Sequence, residues 1–553
     1  MTLPPPVLLP DAALTLVAAY HARTRHRFEG YAKGPEALDW EAQPASFRSY
    51  AGTTVVQLPL LAAAAPDGAL ARALARPVGT AAEVSLALTL ESLAALLQLS
   101  LGITAWKSFG PDRWAVRANP SSGNLHPLEA WVVARGLGFL ADGVWHYRPD
   151  EHALECRAAF VPCAGTPPRL LLGLSSVMWR EAWKYGERAF RYCQLDAGHG
   201  LASLAYGADV LGWRLAEQPQ VGHGTLSTLL GLDRAGDFPP SRRGDTESEE
   251  AESLLSLSCD GQVPSPVSPV ELLDWAASAN WHGRASIIDA HPFFRWPAIN
   301  EVAAATWRAD GGLFAAWPLP AAGAANPQLR PLGEVILGRR SAQRFDPARV
   351  LSRDEFAGLL VALLPVARAP WNALAGKPHI DLLLYVHRVE GLVPGLYALL
   401  RSADASDFQS HLERCFPSQP VDGMPMELRF LLPLEAVPLK RMARSLHCHQ
   451  ELAANACFAV GMLARFEEVL AADPAAYRDL YREAGLIGQV LYLEAEARGL
   501  NGCGIGCFFN DPVHESVGLT DRRWQSLYHF TVGQAVPDPR IETSAPYPGR
   551  VTP

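Results

Sequence analysis

The chain has 553 residues, of which 49% are hydrophobic and 19% charged, with a net charge of −9 and a pI near 6.0. That length exceeds what one hydrophobic core holds, so two domains or more are expected. The acidic balance, with no Lys/Arg run interleaved with aromatics, argues against a nucleic-acid partner; no stretch reaches the roughly 18 uninterrupted apolar residues of a membrane span.

The N-terminus, MTLPPPVLLPDAALTLVAAYHARTRH, lacks basic residues ahead of its apolar part, and the expectation is a cytoplasmic protein. Nine cysteines, an odd count, imply no disulfide framework. His447-Cys448-His449 lacks a second pair at finger-like spacing, so no metal is expected there. Cys503 and Cys507 flank a glycine-rich turn without C-x-x-C spacing and read as packing residues.

In chain order, Tyr20 to Phe28 sets several cations around Thr24. Thr89 opens a helical pattern, ESLAALLQLSLG. Then comes Arg117 to Arg135, RANPSSGNLHPLEAWVVAR, a Pro-Ser-Ser-Gly-Asn turn followed by an apolar run that reads as a buried strand. The hydroxyls of Ser121 and Ser122, the amide of Asn124 and the bare backbone of Gly123 suit the mixed edge of a heterocycle. A long helical pattern holds Asp196 and Gly198. The acidic run from Asp245 to Glu252 reads as a solvated loop, and Pro269 to Ala316 is too apolar for a free linker.

The second half repeats this order. Arg23-Thr24-x-x-Arg27-Phe28 aligns with Arg340-Ser341-x-x-Arg344-Phe345, and Thr89 with Ser352, which with Glu355 predicts a capping box. His126-Pro127 aligns with Lys377-Pro378, and Asp196-Ala-Gly198…Gly212 with Glu483-Ala-Gly485…Gly499. Four matches in one order predict an internal duplication, and strands mixed with long helices predict an α+β sheet covered by helices, the chain dividing as 1–260, 261–330 and 331–553.

The halves differ where they would touch a ligand. Asn372 to Ala375 replace Ser121 to Asn124, and only the second half has the turn Leu500-Asn-Gly-Cys-Gly-Ile-Gly-Cys507. One composite site is predicted, with a phosphate held by Arg339, Arg340, Ser341 and Arg344, backbone from the Gly502 to Gly506 turn, and the edge-reading turn of the first half.

GRRSAQRF, NPSSGNLHP and GLNGCGIG together resemble the flavin-dependent nitroreductase superfamily, in tandem form over nearly the whole chain. The resemblance implies an intramolecular pseudo-dimer of two nitroreductase-like domains, each of helices around a mixed, mainly antiparallel sheet, with FMN at the interface. It implies phosphate and ribityl contacts from Arg340, Ser341 and Arg344, ring contacts from Pro120, Ser121, Ser122 and Asn124, and a further cation from Arg540. Gly123, His126, Gly504, Ile505 and Gly506 complete the implied cofactor set. PSSGNLHP and Trp183-Lys184-Tyr185-Gly186-Glu187-Arg188 are further similar to SagB-type dehydrogenases, where a Lys-Tyr pair acts in catalysis; Lys184 and Tyr185 are the implied catalytic residues. A small or peptide-borne substrate follows, with NAD(P)H as a transient reductant, since no strand-linked G-x-G-x-x-G is present. The alternative is a flavin-binding accessory or scaffold protein without turnover. A fused pseudo-dimer needs no second chain, though a homodimer is compatible with it.

Overall fold

The computed structural model describes residues 9–61, 68–161, 167–240, 245–312, 317–324 and 326–550. Each half is built on one antiparallel sheet. In the first, β1 (Leu128–Arg135), β2 (Gly143–Arg148), β3 (Ala153–Ala159), β4 (Arg169–Ser176), β5 (Arg214–Glu217) and β6 (Glu250–Ser258) lie in the order β3-β2-β1-β4-β6-β5. In the second, β7 (Ile380–Val386), β8 (Gly395–Leu399), β9 (Leu428–Pro433), β10 (Phe458–Arg465), β11 (Asn501–Ile505) and β12 (Trp524–Gly533) lie in the order β9-β8-β7-β10-β12-β11. The two orders are the same permutation, so the duplication inferred from four sequence matches is a duplication of topology.

Both faces of each central strand are covered, which is why Ala130–Ala134 of β1 and Leu382–Val386 of β7 read as unbroken apolar runs. Along β1, Ala130, Val132 and Ala134 face the main core while Trp131 and Val133 face a second cluster on the other side. Along β7, Leu382 and Leu384 face that same main core, with Leu383 and Tyr385 opposite. One core is therefore shared by both halves.

Two helices of 22 residues, α1 (Ala189–Val210) and α2 (Ala476–Ala497), cross at the centre of this core. Glycine makes the crossing possible: a Cβ on Gly198 would lie 2.1 Å from the Arg482 carbonyl oxygen, and one on Gly485 2.0 Å from that of Leu195. These are matched positions of the repeat, and the pseudo-twofold relation passes between them. Gly212 and Gly499, also matched, end the two helices at φ of +74° and +72°, the left-handed conformation that glycine adopts without a Cβ clash. The predicted cap of Thr89 and the Ser352–Glu355 capping box are both formed.

The ends of the chain cross between halves. The hairpin of Ile103–Phe109 and Asp112–Arg117 takes Glu542–Ser544 as its third strand, and His26 bridges to Phe509. This corrects one of the four sequence matches. Arg340-Ser341 runs beside Gly502, with the Ala342 N–H donating to the Gly502 carbonyl at 2.9 Å, whereas Arg23 is paired with Glu187 and Thr24 Oγ1 donates to the Tyr20 carbonyl. The two motifs share spacing but do not share a place in the fold.

The acidic run is also not a solvated loop. Glu247, Glu249 and Glu252 are buried: Arg48 Nε lies 2.8 Å from Glu249, and Arg482 Nη2 lies 2.7 Å from Glu252. Partners some 200 residues away in sequence neutralise the run, and its last three residues begin β6. Asn280–Trp281 adds an edge strand beside β3, so the first sheet draws on residues beyond 260. Among the described residues no helix is long and apolar enough to cross a membrane.

Candidate functional site between the halves

A cavity of about 410 Å³ lies between the halves. The first half contributes the Pro120–Asn124 turn, the start of α1 and the 103–117 hairpin; the second contributes Arg339–Ser341, Gly504–Gly506, Tyr492 and Tyr528. Strand pairing sets the second-half wall, because β11 is the edge of its sheet and Ser341 bridges to Gly502 on its free side.

The turn is held from behind. Ser122 donates through its N–H and its hydroxyl to Asp196 Oδ1, at 3.1 and 3.0 Å. Ser121 Oγ accepts the His126 N–H at 2.8 Å, and the Asn124 side-chain amide donates to the Ala115 carbonyl at 2.9 Å. Gly123, Asn124 and His126 all have positive φ, a strained run fixed by these bonds. Burial pushes the Asp196 carboxyl up to about 7, against the hydrogen bonds from Ser121 and Ser122.

One end of the cavity is cationic. Lys107, Arg117, Arg339 and Arg340 line it, with Asp196 the one carboxylate on its wall. Arg339 is buried, stacks 4.9 Å from the Tyr492 ring centre, and leaves Nη1 without a hydrogen-bond partner. Burial and then the Arg339 charge lower the Arg340 guanidinium to about 10. Burial, then Arg340 and Arg339, lower the Lys107 ammonium. Cations packed this closely repel one another, and an anion between them relieves both the repulsion and the lost hydration.

At the other end sits Tyr185. It and Lys184 close the helix Met178–Tyr185, and a Cβ on Gly123 would fall 2.5 Å from the Tyr185 hydroxyl and 3.1 Å from Lys184 Nζ. Helical geometry splays adjacent residues by about 100°, but the two side chains converge on this glycine. Burial lowers the Lys184 pKa, opposed by Glu181.

Of the residues singled out from sequence, Pro120, Ser121, Ser122, Gly123, Asn124, Arg339, Arg340, Ser341, Gly504, Ile505, Gly506 and Tyr185 line the cavity. Four do not. His126 lies behind the turn, its Nε2 3.1 Å from Asn124 Oδ1 and its carbonyl accepting from Arg180 at 2.8 Å. Arg344 is exposed beyond the cationic end, its carbonyl pairing with the Val536 N–H. Arg540 is exposed and paired with Asp538 at 2.7 Å. Lys184 stands just outside the wall, 5.3 Å from the centre of the Trp40 ring.

Lys107, Arg117, Tyr192, Asp196, His199, Tyr492 and Tyr528 also line the cavity and were not anticipated. Asp196 carried a signal, its place in the Asp-Ala-Gly repeat match; the tyrosines on long helices look like core. Cys507 is a correction of another kind: it forms a disulfide with Cys448, Cα to Cα 5.8 Å, tethering the glycine-rich turn, while Cys503 keeps a free thiol. Among the described residues no cluster of His, Cys, Asp or Glu is placed to hold a metal ion.

The fold and this site define a class: an α+β protein of two duplicated domains that share one core and enclose a cavity built from both. Residues 336–534 match the Nitroreductase family. The protein MJ1384 of Methanocaldococcus jannaschii, described as a nitroreductase, is 26% identical over 140 residues, which are 23% of this chain; the match spans 65% of that relative's length. The crystal structure of an Anabaena variabilis ATCC 29413 protein, also described as a nitroreductase, superposes with a TM-score of 0.66 at 22% identity, covering 94% of this chain and 99% of that one. Residues 336–534 thus form a domain that matches the Nitroreductase family, and over nearly its whole length the chain shares the fold of the Anabaena variabilis protein.

Proposed function

We propose that the chain is an FMN-dependent oxidoreductase that holds one FMN in the interdomain cavity and transfers hydride to or from a small or peptide-borne substrate. The observation that carries this reading is the polarity of the cavity, cationic at Lys107, Arg339 and Arg340 and aromatic at Tyr185 and Tyr192. A ligand with a phosphate at one end and a flat ring at the other matches that gradient.

The donor set fits FMN. Lys107, Arg340 and Ser341 would take the phosphate and ribityl end, and the Pro120–Asn124 turn with the Gly504–Gly506 backbone would take the ring. FMN, when bound, would supply the hydride chemistry. The protein's part is orientation, exclusion of water and proton handling. Asp196 fixes the turn through Ser122, and the Cys448–Cys507 disulfide ties down the opposite wall. Lys184 and Tyr185 converge at Gly123; a desolvated ammonium beside a phenol is suited to exchange a proton with a substrate over the ring. NAD(P)H would serve as reductant by stacking transiently, with no nucleotide-binding domain of its own.

The test is spectroscopic. The purified protein should be yellow, bleach with dithionite or NAD(P)H and recover in air, with one FMN per chain. A colourless protein that takes up no added FMN would remove this reading.

A further inference from the structure

A second cavity lies between the halves, where the pseudo-twofold relation places the counterpart of the first. Leu374 and Ala375 stand for Gly123 and Asn124, Glu217 to Pro219 for Gly504 to Gly506, and Glu483 for Asp196; all of these line the two cavities at corresponding points. The second is the larger, about 670 Å³ against 410 Å³. Two differences separate it from its counterpart.

Glu217 occupies the position of Gly504. Its carboxylate accepts the Ala375 N–H at 3.0 Å and the Ser253 hydroxyl at 3.3 Å, spanning from the edge strand to the remnant of the turn. Both donors are neutral. Burial raises its pKa, with Arg482 opposing, but Arg482 is itself bonded to Glu252 at 2.7 Å.

The charge is also inverted. Five Lys and Arg residues line the second cavity against seven Asp and Glu residues, whereas the first has four cations and one carboxylate. The cations of the second are committed: Arg308 to Asp473 and Asp479, Lys377 to Asp404, Arg401 to Glu483, and Arg465 to Asp404, Asp407 and Glu468. Arg23 and Thr24, which match Arg340 and Ser341 in spacing, are held elsewhere and do not line this cavity. A second flavin phosphate would meet a negative field. Beside these charges the wall is apolar, with Trp371, Leu374 and Leu319.

We propose that this second cavity binds an organic cation, an amine or quaternary ammonium on an apolar body, with the positive group at Glu217 and the body against Trp371 and Leu374. An enclosed carboxylate with neutral donors gains most from a cationic partner; the Trp371 ring, with Arg401 already 4.9 Å from its centre, offers the body an apolar edge. The occupant is independent of what the first cavity holds.

Benzylamine, benzyl alcohol and benzoate share one ring and differ in charge, and titration calorimetry on the protein as purified separates them. Benzylamine binds saturably, one per chain, with the alcohol and the acid weaker by roughly tenfold or more. Glu217→Gln keeps the acceptor for the Ala375 N–H and removes the charge; it weakens benzylamine by a similar factor and leaves flavin content unchanged. Should that variant not fold, Asp479→Asn, on the wall of the same cavity, weakens benzylamine severalfold. Absence of saturable heat, preference for benzoate, or equal affinity in the folded variant overturns the proposal. Release of flavin by benzylamine would place binding in the first cavity and overturn it too.

Discussion

Arg339 Nη2 donates to the Arg117 carbonyl at 3.1 Å, and its Nε donates to that of Ala118 at 3.3 Å. A guanidinium of the second half is thus seated on the backbone just before the Pro120–Asn124 turn of the first, joining the cationic end of the cavity to that turn. The Pro120–Asn124 turn and the Gly504–Gly506 turn, each kept by one half only, line the same cavity.

Because both halves supply the site, Arg340→Ala and Ser122→Ala should each weaken FMN retention. Loss of a charge-assisted bond costs about 1.5–3 kcal/mol, so Arg340→Ala lowers affinity roughly 10- to 100-fold; Ser122→Ala, which removes the hydroxyl bond to Asp196 and keeps the backbone one, costs less. Fluorimetric titration of apoprotein with FMN checks both, and an effect confined to one half would sink the composite site.

Lys184 and Tyr185 converge at Gly123 and are not among the groups proposed to hold the phosphate. Lys184→Ala and Tyr185→Phe should keep flavin bound while slowing substrate oxidation by about 100-fold or more, the usual worth of a proton-transfer group. Stopped-flow flavin reduction is the readout, and unaltered rates would take the pair out of the chemistry.

Asp196 gives a pH signature. Its carboxyl is raised to about 7 in the fold from an ordinary value of 3.8, so the folded state binds more protons between those values. Its contribution to stability is fully present below about pH 4 and falls as pH rises through about 7. Asp196→Asn should flatten that decline in Tm of the apoprotein across pH 4 to 8; an unchanged slope would show that the group does not titrate there.

The helix crossing leaves no room for a methyl group. Gly198→Ala sets a Cβ against the Arg482 carbonyl, 2.1 Å away in the native backbone, and the overpacking should cost roughly 1–3 kcal/mol. Calorimetry should show Tm lowered by several degrees with both halves affected together, since they share the core. Gly236→Ala, in open surroundings, serves as the control.

What was legible in the sequence followed local rules. The Pro120–Asn124 turn, the capping box at Ser352 and the glycines that end the long helices each announce themselves within a few residues. What was not legible depended on partners far along the chain. The carboxylates of Glu249 and Glu252 look solvated until Arg48 and Arg482 arrive from either end. Lys107 gives no sign that Arg340 stands beside it, and Cys507 none that Cys448 does. The match of Arg23 to Arg340 misled for the converse reason: equal spacing does not fix where a segment packs, and the first segment is held by Glu187 and Phe509 instead.

Glu217 stands in one cleft only. In a symmetric assembly of identical subunits, every substitution at this strand edge would enter both clefts at once, and a carboxylate admitted to one would spoil the other. Joining the copies end to end removed that tie, leaving one cleft free to keep its glycine while its sibling drifted toward a different occupant.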